Sequence, residues 1–289
     1  MIHVSRHATG LAAAEIGELA AGGDSTVVSL YDLVTSSPGS VLSMVVAGAD
    51  AAAGFHFGSD PTGANDGTRK AARRAAQLNL AVYQLSALTP GESFVIELDD
   101  GGLESHGIAP APADVNIPTW LTTYWWARAT RNQTALDTLR AVDVDTLTMG
   151  TRFDRAMLGL VEVLRARDRG DTTWAGQISE TVQHVASPTI SSREQAQLLQ
   201  LDLFGVLASI GDQRTFTEQL EIALTSHRTY WGSTAERRRD PNGFISLPLF
   251  GLAAMAADEG MQIEVESDYL PRQLIAEPAW MFEISSQIM

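Results

Sequence analysis

Three carboxylates at a two-residue period, Glu264, Glu266 and Asp268, are the first residues to weigh as a site. In an extended segment that period puts all three on one face, where oxygen ligands could hold a hard divalent cation. Such ions draw ligands from several elements rather than one strand. The expectation is therefore a solvated face, or one paired with arginines such as Arg237 to Arg239, and no metal. The six histidines (His3, His7, His56, His106, His184, His227) stand singly. His3 and His7 are four apart, but they lie at a terminus that reads as unstructured, without the Glu of a helical zinc protease. There is no phosphate loop, no Gly-x-Ser-x-Gly elbow and no Gly-x-Gly-x-x-Gly. The chain thus offers no catalytic residue and no cofactor motif, and a non-enzyme is expected. Arg69, Lys70, Arg73 and Arg74 gather on the first turns of a helix, as a phosphate site would require. In so acidic a chain they are expected to form a solvated face with neighbouring acids.

The net charge of −15 argues against nucleic-acid binding, which needs a cationic face. It favours encounter with a basic protein partner, although acidity also serves solubility. No Lys or Arg occurs between Arg74 and Arg128. Glu97, Asp99, Asp100 and Glu104 in that interval are therefore the first candidates for contact with a partner, because nothing local neutralises them. Glu264 and Glu266 are the second choice. Lys70 is the only lysine among twenty basic residues, a bias that carries no functional weight here. There is no cysteine, hence no disulfide framework or thiolate site. The opening MIHVSRHATG lacks the pattern of a signal peptide, and no continuous apolar run of eighteen residues marks a membrane span. A cytoplasmic location is expected.

The elements that would position these residues are mostly helical. Leu11–Ala21 and Ser25–Thr35 read as short helices broken at Gly22-Gly23, with a further break at Ser37-Pro38-Gly39 and an apolar run from Val41 to Phe57. After a loop over Asp60–Gly67, a helix over Thr68–Leu88 carries Leu78, Val82 and Leu85 at helical spacing. The period then changes to two: Phe94, Ile96 and Leu98 alternate with Val95, Glu97 and Asp99. This predicts a β-hairpin near residues 93–108. From Trp120 on, three polar turns (Arg131-Asn132-Gln133, Arg169-Gly170-Asp171, Ile210-Gly211-Asp212) recur roughly forty residues apart, each between helical patterns. They predict stacked helical hairpins of a tetratricopeptide-like (TPR-like) kind, or an irregular bundle with the same turns. The fold class is all-α with one small hairpin. Its parts are a helical segment (1–90), the hairpin and Pro-rich loop (91–118) and a helical-hairpin region (119–289), together one compact domain.

The last stretch, His227 to Leu274, divides into a helix end with Tyr230 and Trp231, a turn at Asp240-Pro241-Asn242-Gly243, an apolar helix over Leu247–Asp258 stopped by Gly260, and a strand over Ile263–Glu266. Asp268 would cap a further helical turn three residues before Pro271. Tyr230, Trp231, Phe250, Met255, Ile263 and Val265 are expected to be buried together. Trp120, Tyr124, Trp125 and Trp126 could form a stacking platform; their spacing makes most of them core.

The string HRTYW, with NGFISLPLFGLAAMAADEG and IEVESDYLP after it, resembles the C-terminal signature of the immunity protein 49 family. Trp120-Leu121-Thr122-Thr123 with Trp125, Trp126 and Arg128 is similar to a second patch of that family. The resemblance covers Trp120 to Leu274; over the N-terminal hundred residues only length and helical character agree. It marks Trp120, Trp125, Tyr230, Trp231, Asp268, Tyr269 and Pro271 as signature positions. It implies a mainly helical protein, encoded beside a polymorphic toxin, that binds and neutralises that toxin in the producing bacterium. The alternative from the residues alone is a helical-repeat scaffold or regulatory module with an unrelated partner.

Overall fold

A computed structural model describes residues 2–99, 101–109, 111, 114–149, 155–183, 192–277 and 280, except for the side chains of 192–198. The chain opens with strand β1 (Ile2–Val4) and helices α1 (Ala13–Ser29), α2 (Tyr31–Ser36), α3 (Pro38–Ser59) and α4 (Asp66–Ala87). A hairpin of β2 (Ser93–Leu98) and β3 (Gly101–His106) precedes α5 (Ile117–Ala129), α6 (Gln133–Ala141) and α7 (Val144–Thr148). Next come α8 (Arg155–Asp168), α9 (Trp174–Val182), α10 (Ser192–Ser209) and α11 (Gln213–Gly232), then two 3-10 turns, Arg237–Arg239 and Pro241–Gly243. The last elements are α12 (Leu247–Asp258), β4 (Val265–Ser267) and α13 (Arg272–Ala276). The protein is mainly all-α, with strands only in small pairs among the described residues.

Helix α4 lies at the centre, buried along most of its length and packed against α3, α5 and β2. Leu78, Val82 and Leu85 are buried as their spacing predicts, and so are Ala72, Ala75 and Ala81. Its basic cluster is not the solvated face expected. Arg73 and Arg74 are 7% and 6% exposed. Arg73 pairs with Asp99 of the hairpin at 2.5 Å and donates to the Trp280 carbonyl at 2.8 Å. Arg74 pairs at 3.0 Å with Asp24 of α1, whose other oxygen meets His56 of α3 at 2.8 Å. The counter-charges come from distant segments, which no local charge pattern reveals.

Helix α1 runs through Gly22-Gly23 without the predicted break. A Cβ on Gly23 would sit 3.0 Å from the Ala52 Cβ, so this glycine serves a close approach of α1 to α3. Helix α3 is long and apolar enough to cross a membrane by length and composition. It buries Leu42, Val45, Ala49, Ala53 and Phe57 in the core and packs against α1 and α4. Ser43, Asp50 and His56 interrupt its apolar run.

The hairpin forms where alternation places it, antiparallel with Val95 opposite Glu104 and Glu97 opposite Gly102. The three predicted turns join α5 to α6, α8 to α9 and α10 to α11. Each has one residue with positive φ: Arg131 at 51°, Gly170 at 69°, Gly211 at 108°. The next residue, Asn132, Asp171 or Asp212, accepts a backbone N–H of the following turn through its side chain at 2.9–3.0 Å. Helix α12 ends at Gly260 as expected: Met261 N–H returns to the Ala256 carbonyl and Gly260 N–H to Ala257.

The N-terminus, expected to be unstructured, pairs with the tail. Strand β1 runs parallel to β4, with His3 opposite Glu266. Arg6 donates to the Phe57 and Gly58 carbonyls at the end of α3 and to the Asp268 carbonyl, all at 2.7–2.8 Å. Asp268 does not cap a helix. Its Oδ2 accepts the Arg6 backbone N–H at 3.0 Å, and α13 begins after Pro271. Phe250, Met255 and Val265 are buried, but Tyr230, Trp231 and Ile263 are only half-buried.

Removing one partner of a buried ion pair leaves the other charge uncompensated, at a cost of about 3–5 kcal/mol. Asp99→Ala is therefore expected to lower unfolding stability by about that amount. Glu97→Ala, two residues away and exposed, should stay within about 0.5 kcal/mol. Urea unfolding of both variants checks this; equal midpoints would mean that Arg73 does not need Asp99.

Candidate functional site

The described hairpin acids, Glu97, Asp99 and Glu104, separate in the fold. Glu97 and Glu104 are exposed on its outer face, beside Val95, and neither forms an ion pair among the described residues. The inner face carries Ile96, Leu98 and Leu103 into the core. Asp99 is withdrawn by Arg73, so the absence of local cations did not leave it free. Asp100 lies outside the described residues.

The tail acids do not form a ligand set either. Glu264 accepts from Thr217 at 3.2 Å, Glu266 pairs with Arg272 at 2.6 Å, and Asp268 holds Arg6. Arg237, one of the partners expected for them, instead lies over the Tyr230 ring at 4.0 Å. Among the described residues no group of three or more His, Asp or Glu side chains is placed to hold a metal ion. His184 lies outside the described residues.

The tryptophan patch is core, as the helical spacing predicts. Trp120 stacks on Tyr124 at 5.1 Å and donates its indole N–H to the Leu139 carbonyl at 3.1 Å. Arg128 crosses the Tyr124 ring and bonds Asp168, which also accepts from the Tyr124 hydroxyl. Tyr269 is fully buried, with its hydroxyl on His7 and its ring edge-on to His227. The signature residues Trp120, Trp125, Tyr269 and Pro271 are thus buried, while Tyr230 and Trp231 rim the packing.

Trp231 borders a cleft of about 310 Å³ that α3, α5, α10, α11 and the turn before α12 enclose. Trp125, Trp126 and Trp231 line it together with Asp50, Asp202 and His227. Gly243 shapes this end, since a Cβ there would lie 2.6 Å from the Trp231 ring. Asp50 Oδ1 accepts from Asn79 at 2.8 Å and from the Trp126 indole N–H at 2.9 Å. Burial nevertheless pushes its carboxyl up to about 7, against those two bonds. Burial also raises the Asp202 carboxyl, against a bond from Ser226. Asp202 Oδ2 is buried without a hydrogen-bond partner among the described residues. His227 is held down at about 3 by burial, although Gly243 O, 3.3 Å from Nε2, favours its charged form.

The model of the immunity protein 49 family matches residues 60–274. The chain belongs to the immunity protein 49 family. The family match begins well upstream of Trp120 and takes in α4 and the hairpin, so likeness before Trp120 is not confined to length and helical character. Asp202 and His227 of the cleft fall inside the matched immunity protein 49 segment, and Asp50 falls before it. Neither the curated proteins nor the solved structures gave a match.

Asp50 and Asp202 were not singled out from the sequence. The available signal was a lone acid within an apolar helical run, AGADAAAGF and LLQLDLFGVL. Such an acid either faces solvent or is buried with a task, and only packing distinguishes the two.

The two titrations act on stability with opposite sign. Asp50, raised from 3.8 to about 7, stabilises the fold while protonated; that contribution is lost as pH rises from about 4 to 7. His227, lowered from 6.5 to about 3, stabilises while neutral; its contribution is lost as pH falls below about 6.5. Between pH 4.5 and 6.5 they oppose each other. Relative to wild type, Asp50→Asn should therefore gain stability as pH rises across this window, and His227→Gln should gain as it falls. Each difference should change by up to about 1.4 kcal/mol per pH unit. Urea melts at several pH values decide; differences that do not vary with pH would mean neither group is perturbed in the fold.

Proposed function

We propose that this immunity protein 49 member binds and neutralises a cognate polymorphic toxin in the cytoplasm of the bacterium that makes both. Family membership over residues 60–274 carries the reading. The net charge of −15 supports a basic partner, since complementary charge speeds encounter and suppresses wrong partners. Glu97 and Glu104 are the acids best placed to act on encounter, being exposed and without an ion-pair partner among the described residues. The three consecutive helical hairpins from α5 to α11 would supply a TPR-like surface of the kind that proteins dock against. Protection would come from occupying the toxin, with no chemistry done by the immunity protein itself.

Co-expression tests the proposal. Cells making the toxin encoded beside this gene should grow when the protein is present and fail without it. Glu97→Lys with Glu104→Lys should slow association, flatten its salt dependence and weaken protection, while melting like the parent. Undiminished association would move the interface off the hairpin. No protection by the wild-type protein against that toxin would overturn the proposal.

A further inference from the structure

We propose that the tryptophan-lined cleft receives an arginine side chain of the partner protein, whose guanidinium pairs with Asp202 and Asp50 between the indole rings. This rests on the immunity reading for the partner's identity and on the cleft's own geometry for its chemistry. Three observations converge on a cation with a planar face. The lining contributes three indoles, Trp125, Trp126 and Trp231, and ring faces attract a guanidinium that stacks on them. Two carboxylates enter the same space from separate helices, Asp50 from α3 and Asp202 from α10. One of their oxygens, Asp202 Oδ2, is buried with no donor among the described residues. A buried acceptor without a donor is costly, and a ligand that supplies N–H groups recovers that cost on binding.

Among the described residues the cleft's lining contributes no positive charge to compete. Its remaining titratable group, His227, is neutral and is engaged with Gly243. Asp50 Oδ1 already takes two donors, which fixes the carboxyl group in place, and a guanidinium at Oδ2 would favour the ionised form that burial otherwise disfavours. A guanidinium offers five N–H donors in a rigid plane, enough to reach both acids at once. A lysine ammonium would satisfy the charge but would not stack. At about 310 Å³ the cleft is at the small end of ligand sites, suited to one side chain rather than a large metabolite. The overall acidity of the chain would draw a basic partner toward it.

The first test uses the protein alone. N-acetyl-arginine amide is titrated into ¹⁵N-labelled protein while the indole N–H resonances are followed, with N-acetyl-citrulline amide as the neutral analogue of the same shape. Saturable movement of the Trp126 indole signal is expected with the arginine compound only, and Asp202→Asn should weaken it about ten-fold. Equal movement with citrulline, no movement with either, or unchanged affinity in Asp202→Asn would overturn the proposal. The second test is protection in co-expression. Asp202→Asn, and separately Trp231→Ala, should protect less than wild type at matched expression and with retained melting behaviour. Full protection by both variants would overturn the docking of the partner here and leave the immunity reading intact. Failure of the wild type to protect would overturn both.

Discussion

Two guanidinium groups beneath the surface of an acidic protein hold this fold in register. Arg73 and Arg74 project from the central helix α4, whose other faces bury alanine and leucine. One reaches the hairpin and the Trp280 carbonyl; the other reaches α1. Buried charge is tolerated only when paired and bonded. The positions of the hairpin, the first helix and the tail on α4 are therefore coupled. None of the three can shift without stranding a cation.

The same chemistry recurs at the ends of α3, α6 and α13. Arg6 closes the last turn of α3, Arg131 donates to Leu274 and Ile275 at the end of α13, and Arg165 donates to Arg140. Each arginine offers several donors at fixed angles, which suits a cluster of orphan carbonyls better than an ammonium does. The near-absence of lysine has a structural use here, whatever its origin. Arg6 also explains how the N-terminus is tied to a tail more than two hundred and fifty residues away, since its guanidinium bonds the Asp268 carbonyl and its backbone N–H the Asp268 carboxylate.

The tail signature is a scaffold with one working edge. Tyr269, Phe250 and Val265 are buried, and Gly243 lets the Trp231 indole lie on the turn backbone. The half-buried Trp231 then forms a wall of the cleft with Trp125 and Trp126 from the other signature patch. The two family-like segments, far apart in the chain, meet at one space. Among the described residues its lining is mostly apolar, with Asp50 and Asp202 as its acids. Those are the conditions under which a single basic side chain can be recognised.

The amino-acid sequence sufficed for whatever depends on local periodicity and backbone chemistry. It placed the hairpin by its period of two, the Gly260 stop by a residue that tolerates left-handed backbone, and the three turns by short polar runs whose Asn or Asp accepts an N–H group. Through the tryptophan patch and the tail string it also indicated the family. What it could not determine depends on partners remote in the chain. Gly22-Gly23 looked like a break because a glycine pair is compatible with a turn or with close helix packing, and only Ala52 decides which. Asp99 looked free because its counter-charge is on another element. The N-terminus looked unstructured because a three-residue strand has no signal apart from the strand it pairs with. The cleft was invisible for the same reason: Asp50 and Asp202 are single acids in apolar helices, and their shared environment exists only once α3, α5, α10 and α11 have packed.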